Sequence, residues 1–107
     1  MSITDEEDYF SGKVAVVTGG SRGVGKAVAQ ALIERGSKVV IGDVLDKAGQ
    51  ETVNELNKQA GGDSKVAVYI HTDVSIYKDA IALFKLAESE FGGVDVSGLI
   101  LIISIIM

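Results

Sequence analysis

Short apolar runs alternate with amphipathic stretches along this chain. The first run, residues 14–17, is apolar and mostly β-branched, which predicts a strand buried on both faces. Apolar positions then recur at helical spacing: Val24, Ala27, Val28, Ala31 and Leu32. The pattern predicts a first helix over about residues 22–35, with Gly36 at its carboxyl end.

The same alternation is repeated twice more. A second strand is predicted over residues 38–43, followed by a helix that Asp46 is expected to cap and Gly61-Gly62 to end. A third strand is predicted over residues 65–71 and a third helix after Ser75, its expected N-cap. That helix should end at Gly92-Gly93 and bury one stripe: Ile76, Ala80, Leu83, Phe84, Ala87 and Phe91.

The order β-α-β-α-β-α predicts an α/β fold, one mononucleotide-binding half of a doubly wound parallel sheet. Residues 99–107 are almost wholly apolar and are expected to form one more strand. Right-handed crossovers then predict a Rossmann-like sheet of about four strands in the order 3-2-1-4, with three helices. Residues 1–10 are expected to be an acidic flexible tail, and residues 11–107 one Rossmann-like domain, incomplete at its carboxyl end.

Four glycines follow the first strand within seven residues, where the chain must turn into the first helix: Gly19, Gly20, Gly23 and Gly25. A helix that begins at such a turn offers unpaired N–H groups and the positive end of its dipole. The stretch therefore predicts a cradle for a phosphate group.

Two other interpretations of this turn stay open. The segment Gly20-x-x-x-x-Gly25-Lys26 nearly matches a P-loop, but Ala27 stands where the Mg²⁺-binding hydroxyl belongs. The turn could also connect the two elements without binding a ligand. The G-x-G-x-x-G pattern is excluded, because Val28 occupies the position of its third glycine.

Asp43 ends the second predicted strand, 18 residues after Gly25. This is close to the spacing of about 20 residues for the acid that binds the adenosine ribose in dinucleotide-binding folds. The alternative is that Asp43 only caps the helix that follows it.

Composition narrows the classes of function. The 107 residues carry a net charge of −5, with −4 in the run Asp5 to Asp8 and no basic cluster, so nucleic acid is not an expected partner. There is no cysteine and only one histidine, so no metal site is expected. No secretory signal is visible, and the apolar segment 99–107 is too short to span a membrane, which favours a cytoplasmic setting.

The pieces Thr18-Gly-Gly-Ser-Arg-Gly-Val-Gly25, Asp43, Asp73-Val74 and Phe91-Gly-Gly-Val-Asp-Val96 together resemble the amino-terminal, cofactor-binding half of the short-chain dehydrogenase/reductase family. The resemblance implies an NAD site in which the turn binds the pyrophosphate, Asp43 the ribose and Asp73-Val74 the adenine. Asp43 would favour NAD over NADP, whereas Arg22 is a feature of many NADP users. The implied binding residues are Thr18, Gly19, Ser21, Arg22, Gly23, Val24, Gly25, Asp43, Asp73 and Val74.

The resemblance stops after Val96, where the family continues into a strand ending Asn-Asn-Ala-Gly. The family's catalytic Ser and helical Tyr-x-x-x-Lys have no counterpart, and Tyr9-x-x-x-Lys13 is read as a coincidence because Gly12 and a strand interrupt it. The chain is thus expected to bind NAD without turning over a substrate alone. The alternatives are an interaction module that associates through residues 99–107 and, less favoured, a P-loop hydrolase.

Overall fold

A computed structural model describes residues 10–92 and the backbone of Leu99–Ile103. Its elements in chain order are β1 (Val14–Thr18), α1 (Gly23–Glu34), β2 (Lys38–Asp43), α2 (Asp46–Ala60), β3 (Ala67–His71), α3 (Tyr77–Phe91) and β4 (Leu99–Ile103). The predicted Rossmann-like α/β fold with three helices is confirmed. The predictions for residues 1–9, for residues 93–98 and for residues 104–107 concern positions outside the described residues.

The strands form one parallel sheet in the order β3-β2-β1-β4. Thr18 at the end of β1 is level with Gly42 of β2, and Asp43 at the end of β2 is level with His71 of β3. Because the strands are parallel, their carboxyl ends meet at one edge of the sheet. The turn after β1, Asp43 and the segment after β3 therefore share that edge.

Alternate side chains of β1 enter two different hydrophobic clusters. Ala15 and Val17 pack in a cluster with α1 and α2, whereas Val14 and Val16 pack in a cluster with α3. Every residue of β1 is buried. This period of two explains why β1 reads as a continuous apolar run: both faces of the strand are covered by helices.

The first helix ends as expected at a glycine. Gly36 has φ +94°, its N–H donates to the Ile33 carbonyl, and the Ser37 N–H donates to the Leu32 carbonyl, both at 3.0 Å. These two bonds satisfy the last carbonyls of α1 in a Schellman arrangement. The second helix likewise ends at Gly61, which has φ +74°.

The two predicted N-caps are wrong. The N-cap residues are Leu45 for α2 and Ile76 for α3, and neither helix has a side-chain cap hydrogen bond. Ser75 instead donates its hydroxyl to Asp73 Oδ1 at 2.6 Å, one residue before the cap. The carboxylate of Asp46 does not cap α2 and instead accepts hydrogen bonds from side chains of β3.

The predicted buried stripe of α3 is partly wrong. Leu83 and Ala87 are buried and Phe91 packs against their cluster, but Ile76 is 46% exposed and Phe84 37% exposed. Leu86 packs against this cluster as well. The periodicity gave the right helix, but the choice between neighbouring apolar positions depends on how the helix lies on the sheet.

The third strand begins at Ala67, two residues later than expected. The side chain of Asn57 accepts the N–H groups of Val66 and Ala67 and donates to the Ala67 carbonyl. Among the residues placed by the structure, no helix is long and apolar enough to cross a membrane.

Candidate functional site

The glycine turn continues the sheet before it enters α1. The Gly19 N–H donates to the Gly42 carbonyl at 2.8 Å, which extends the β1–β2 pairing by one bond. Gly19 and Gly23 have φ +69° and +61°, a region that favours glycine. Arg22 is the N-cap residue of α1, and within the described part of the chain no side chain caps this helix. The first amides of α1 are therefore left for a ligand.

Gly25 is the point at which α1 touches the turn. A Cβ on Gly25 would overlap the carbonyl oxygen of Gly19 and lie 2.7 Å from its carbonyl carbon. It would also lie 3.0 Å from Gly20 Cα, so the obstruction is backbone that cannot swing aside. The third glycine of the motif thus lets the helix start directly on the turn.

Ser21 lies at the centre of the turn and is only 3% exposed. Its N–H donates to Asp43 Oδ2 at 3.2 Å, and its carbonyl accepts the hydroxyl of Thr52 at 2.7 Å. The hydroxyls of Ser21 and Thr18 are buried without a hydrogen-bond partner among the described residues. Buried polar atoms normally have partners, so these two hydroxyls mark a place where a polar ligand fits.

Asp43 is 8% exposed, and both its carboxylate and its backbone carbonyl accept hydrogen bonds. Its Oδ1 accepts the Val44 N–H at 2.7 Å, and its backbone carbonyl accepts the Thr72 N–H and the Tyr69 hydroxyl, both at 2.8 Å. A carboxylate has about four acceptor positions, so each of its oxygens keeps one for a further donor. Asp43 is not the N-cap of α2, because that residue is Leu45.

The segment after β3 lies at the same edge, tied to β2 by the bond from Thr72 to Asp43. The hydroxyl of Ser75, and then its N–H, hold the pKa of Asp73 below its ordinary value. The Asp73 N–H donates to Asp79 Oδ2 at 2.9 Å, and Val74 is exposed. Asp73 and Val74 therefore lie at the same edge of the sheet as Asp43.

A cluster of titratable side chains joins the start of α2 to β3. Asp46 Oδ1 lies 2.6 Å from the Tyr69 hydroxyl and 2.8 Å from His71 Nδ1. The hydrogen bond from Tyr69, and then that from His71, lower the pKa of Asp46. The same contact with Asp46 raises the pKa of His71, whereas burial and then Asp46 raise that of Tyr69.

The larger cavities among the described residues lie at opposite ends of the sheet. An open groove of about 520 Å³ lies beside the turn and the start of α2 and is lined by Arg22, Leu45, Asp46, Lys47, Ala48 and Glu51. A cavity of about 430 Å³ lies at the other end, between the carboxyl ends of α1 and α2, next to Ser37 and Lys38. The unpaired hydroxyls of Thr18 and Ser21 line neither of them, but Arg22 of the turn lines the groove.

The P-loop interpretation gains nothing from this geometry. The Lys26 ammonium pairs with Glu55 Oε2 of α2 at 3.0 Å. A P-loop lysine must instead reach back to the phosphates. The polar groups that are present are free helix amides and buried hydroxyls, which can donate, and one carboxylate, which accepts; together they suit a ligand with both phosphate and hydroxyl groups.

Two supporting residues, Thr52 and Gly49, were not predicted from the sequence. Thr52 and Gly49 are buried on the same face of α2 as Val53 and Leu56. A Cβ on Gly49 would lie 2.7 Å from Cζ of Tyr69, so the glycine makes room for the ring whose hydroxyl bonds Asp43. A hydroxyl and a glycine on an otherwise apolar helical stripe are the signal that could have identified them.

Comparison with known proteins agrees with this geometry. Residues 13–100 match the family model described as short chain dehydrogenase. The chain is 38% identical over 87 residues to zerumbone synthase of Zingiber zerumbet, covering 81% of this chain and 31% of that protein. It is 42% identical over 89 residues to cis-4-hydroxycyclohexanecarboxylate dehydrogenase of Sinomonas cyclohexanicum, covering 83% and 34%.

Two solved structures are similar as well. A short chain dehydrogenase/reductase from Burkholderia phymatum in complex with NAD is 38% identical, with a TM-score of 0.71 over 80% of this chain and 29% of that one. A 3-ketoacyl-(acyl-carrier-protein) reductase from Brucella melitensis complexed with NADH is 34% identical, with a TM-score of 0.69 over 80% and 32%. The chain spans about a third of the length of the curated relatives that it matches. From the family match and these likenesses, the chain belongs to the short chain dehydrogenase family.

Proposed function

We propose that residues 11–107 form one nucleotide-binding unit that binds NAD at the carboxyl edge of its sheet. The observation that carries the proposal is the 3.2 Å hydrogen bond from the Ser21 N–H to Asp43 Oδ2. It places the carboxylate that would accept ribose hydroxyls directly against the turn that would bind the pyrophosphate. The residues proposed to contact the cofactor are Thr18, Gly19, Ser21, Arg22, Gly23, Val24, Gly25, Asp43, Asp73 and Val74.

The buried, unpaired hydroxyls of Thr18 and Ser21 support binding of a polar group at the turn. The uncapped start of α1 supplies N–H donors and the positive end of the helix dipole for the pyrophosphate. The free acceptor positions of Asp43 suit two neighbouring hydroxyls of the ribose. Asp73 and Val74, at the same edge, would border the adenine.

We propose NAD rather than NADP because of the Asp43 carboxylate. A 2′-phosphate beside that group would bring two negative charges to contact distance in a poorly solvated place, which is unfavourable. Arg22 is exposed, lines the groove and is a cation that could offset part of this repulsion. The acceptor role of Asp43 for ribose hydroxyls nevertheless favours the unphosphorylated cofactor.

For a protein that contains this chain and has the full length of its relatives, we propose the family's reaction, hydride transfer between an alcohol or ketone and the cofactor. The bound nicotinamide would supply or accept the hydride. The residues of this chain would hold the cofactor: the turn would fix its pyrophosphate and Asp43 its ribose. No residue of this chain is proposed to act on the substrate.

The test is calorimetric titration of the chain with NADH and with NADPH. We expect saturable binding of NADH in the micromolar range or weaker, and weaker binding of NADPH. The variant Asp43→Ser combined with Val44→Arg should move the affinity ratio toward NADPH, because a repulsion is replaced by a guanidinium that pairs with the phosphate. Asp63→Asn removes an exposed carboxylate after α2 and serves as the control. An unchanged ratio in the double variant would refute the role of Asp43.

We also propose that the chain associates through β4. Within the described residues, β4 pairs with β1 on one side and forms the edge of the sheet. Unpaired edge strands are sites of association between chains. Sedimentation should show a particle size that increases with protein concentration. The increase should be smaller in the variant Ile103→Lys. A monomer at all concentrations would contradict this part of the proposal.

A further inference from the structure

Thr52 stands outside every set of residues assigned above to the cofactor. It lies in the second turn of α2, is 3% exposed, and donates its hydroxyl to the Ser21 carbonyl at 2.7 Å. The bond crosses 31 positions of the sequence and joins α2 to the middle of the glycine turn. Thr52, on the helix α2 that follows the glycine turn in the sequence, thus hydrogen-bonds to the backbone of that turn.

The two polar backbone groups of Ser21 are bonded to different elements. Its N–H donates to Asp43 at the end of β2, and its carbonyl accepts from Thr52 of α2. The N–H belongs to the Gly20–Ser21 peptide and the carbonyl to the Ser21–Arg22 peptide, so the two bonds together restrain the backbone torsions on both sides of the Ser21 Cα. The bond from Thr52 therefore helps to direct the Ser21 N–H at Asp43 Oδ2 and so orients the carboxylate.

A second link between α2 and the start of α1 lies one helical turn further on. Glu55 pairs with Lys26 at 3.0 Å, and both side chains are partly exposed. Exposed ion pairs contribute little to stability because water screens them. The buried hydroxyl bond of Thr52 is the stronger restraint, since its loss leaves a buried carbonyl without a partner.

We propose that Thr52 is a positioning residue of the dinucleotide site: its hydroxyl fixes the Ser21–Arg22 peptide and, through the backbone of Ser21, the arrangement of turn and Asp43 that binds the cofactor. This inference rests on the proposed NAD site. Removal of the hydroxyl alone lets the Ser21–Arg22 peptide rotate, which costs the turn its preorganisation while the residues that contact the cofactor remain unchanged.

Three variants of the full chain test the inference by calorimetric titration with NADH. Thr52→Val keeps the shape of the side chain and removes the hydroxyl, Thr52→Ser keeps the hydroxyl, and Glu55→Gln removes the neighbouring exposed ion pair. We expect the affinity of the Val variant to fall about fivefold to tenfold, the order expected for one buried hydrogen bond. The Ser and Gln variants should bind within about twofold of the parent.

A second measurement does not depend on the ligand. Amide hydrogen exchange at Ser21 should be faster in Thr52→Val than in the parent and close to the parent rate in Thr52→Ser. Urea unfolding, run in parallel, shows that each variant is folded under the titration conditions.

The outcomes separate the two proposals. If the parent does not bind NADH, the proposed function fails, and this inference fails with it. If the parent binds and Thr52→Val binds equally well, the positioning role alone is refuted. Equal weakening in the Val and Ser variants, or weakening by Glu55→Gln as large as that by Thr52→Val, would also refute it, because the hydroxyl would not be the cause.

Discussion

Replacement of Gly25 by alanine adds only a methyl group, yet it is expected to lower both the stability of the chain and its affinity for NADH. The added Cβ would overlap the Gly19 carbonyl oxygen and lie 2.7 Å from the carbonyl carbon, well inside van der Waals contact. Because both neighbours are backbone, relief requires that the turn and α1 move apart. Overpacking of this kind costs about 1–3 kcal/mol of stability.

The same displacement should weaken cofactor binding. The turn and the first amides of α1 are proposed to hold one pyrophosphate, so a shift between them removes some of their hydrogen bonds. Loss of one or two bonds to a charged group, at about 1.5–3 kcal/mol each, predicts at least a tenfold loss in affinity for NADH. The cause is thus a clash within the protein, between the added Cβ and the backbone of the turn.

The assay combines calorimetric titration with NADH and urea unfolding of Gly25→Ala. Gly62→Ala is the matched control, because a Cβ there meets no atom within 4 Å and the residue is not in the left-handed region. The control should keep the parent's affinity and stability. If Gly25→Ala binds NADH as tightly as the control does, the turn is not the pyrophosphate site.

The remaining predictions concern the supporting side chains. His71, the only histidine, should titrate by NMR above 6.5, because Asp46 stabilises its charged form, and its pKa should fall in Asp46→Asn. The pKa of His71 is higher in the folded than in the unfolded chain, so the stability that His71 contributes should be complete below pH 6.5 and lost as the pH rises through the folded pKa. The parent and a His71→Asn variant should therefore differ in urea midpoint at low pH, and equal midpoints at every pH would contradict this. Asp73 and Asp79 also face this imidazole and should leave part of the shift in place in Asp46→Asn. Gly49→Ala should lower the free energy of unfolding by about 1–3 kcal/mol, because its Cβ would overlap the Tyr69 ring, whose hydroxyl is bonded to Asp43 and Asp46; an unchanged urea midpoint would show that the ring can move.

Local patterns predicted the elements of this fold well. The apolar run of β1 and the glycine that ends α1 are properties of a few adjacent residues, so the sequence is sufficient to find them. The bounds of β2, Lys38–Asp43, were likewise predicted from the local pattern. The family resemblance, carried by the glycine turn, was confirmed by the match over residues 13–100.

Predictions that depend on distant partners were less successful. Asp46 and Ser75 are residue types that commonly occupy N-cap positions. In the structure, however, the Asp46 side chain bonds to His71 and the Ser75 side chain to Asp73. Thr52 was not identified because its partner lies 31 positions away, although its hydroxyl on an apolar helical stripe is a local sign of a buried polar contact. Tertiary contacts decided the cases of Asp46 and Thr52, whereas a bond between near neighbours decided that of Ser75.

Mapping NADH onto the folded chain by NMR tests the central claim most directly. If the carboxyl edge of the sheet is the dinucleotide site, amide shifts should change in a saturable way at Gly19, Ser21 and Gly23, at Asp43 and at Val74. The amides around the cavity at the opposite end, including Ser37 and Lys38, should stay unchanged. Shifts confined to that opposite end, or no saturable shift at any amide, would contradict the proposed site.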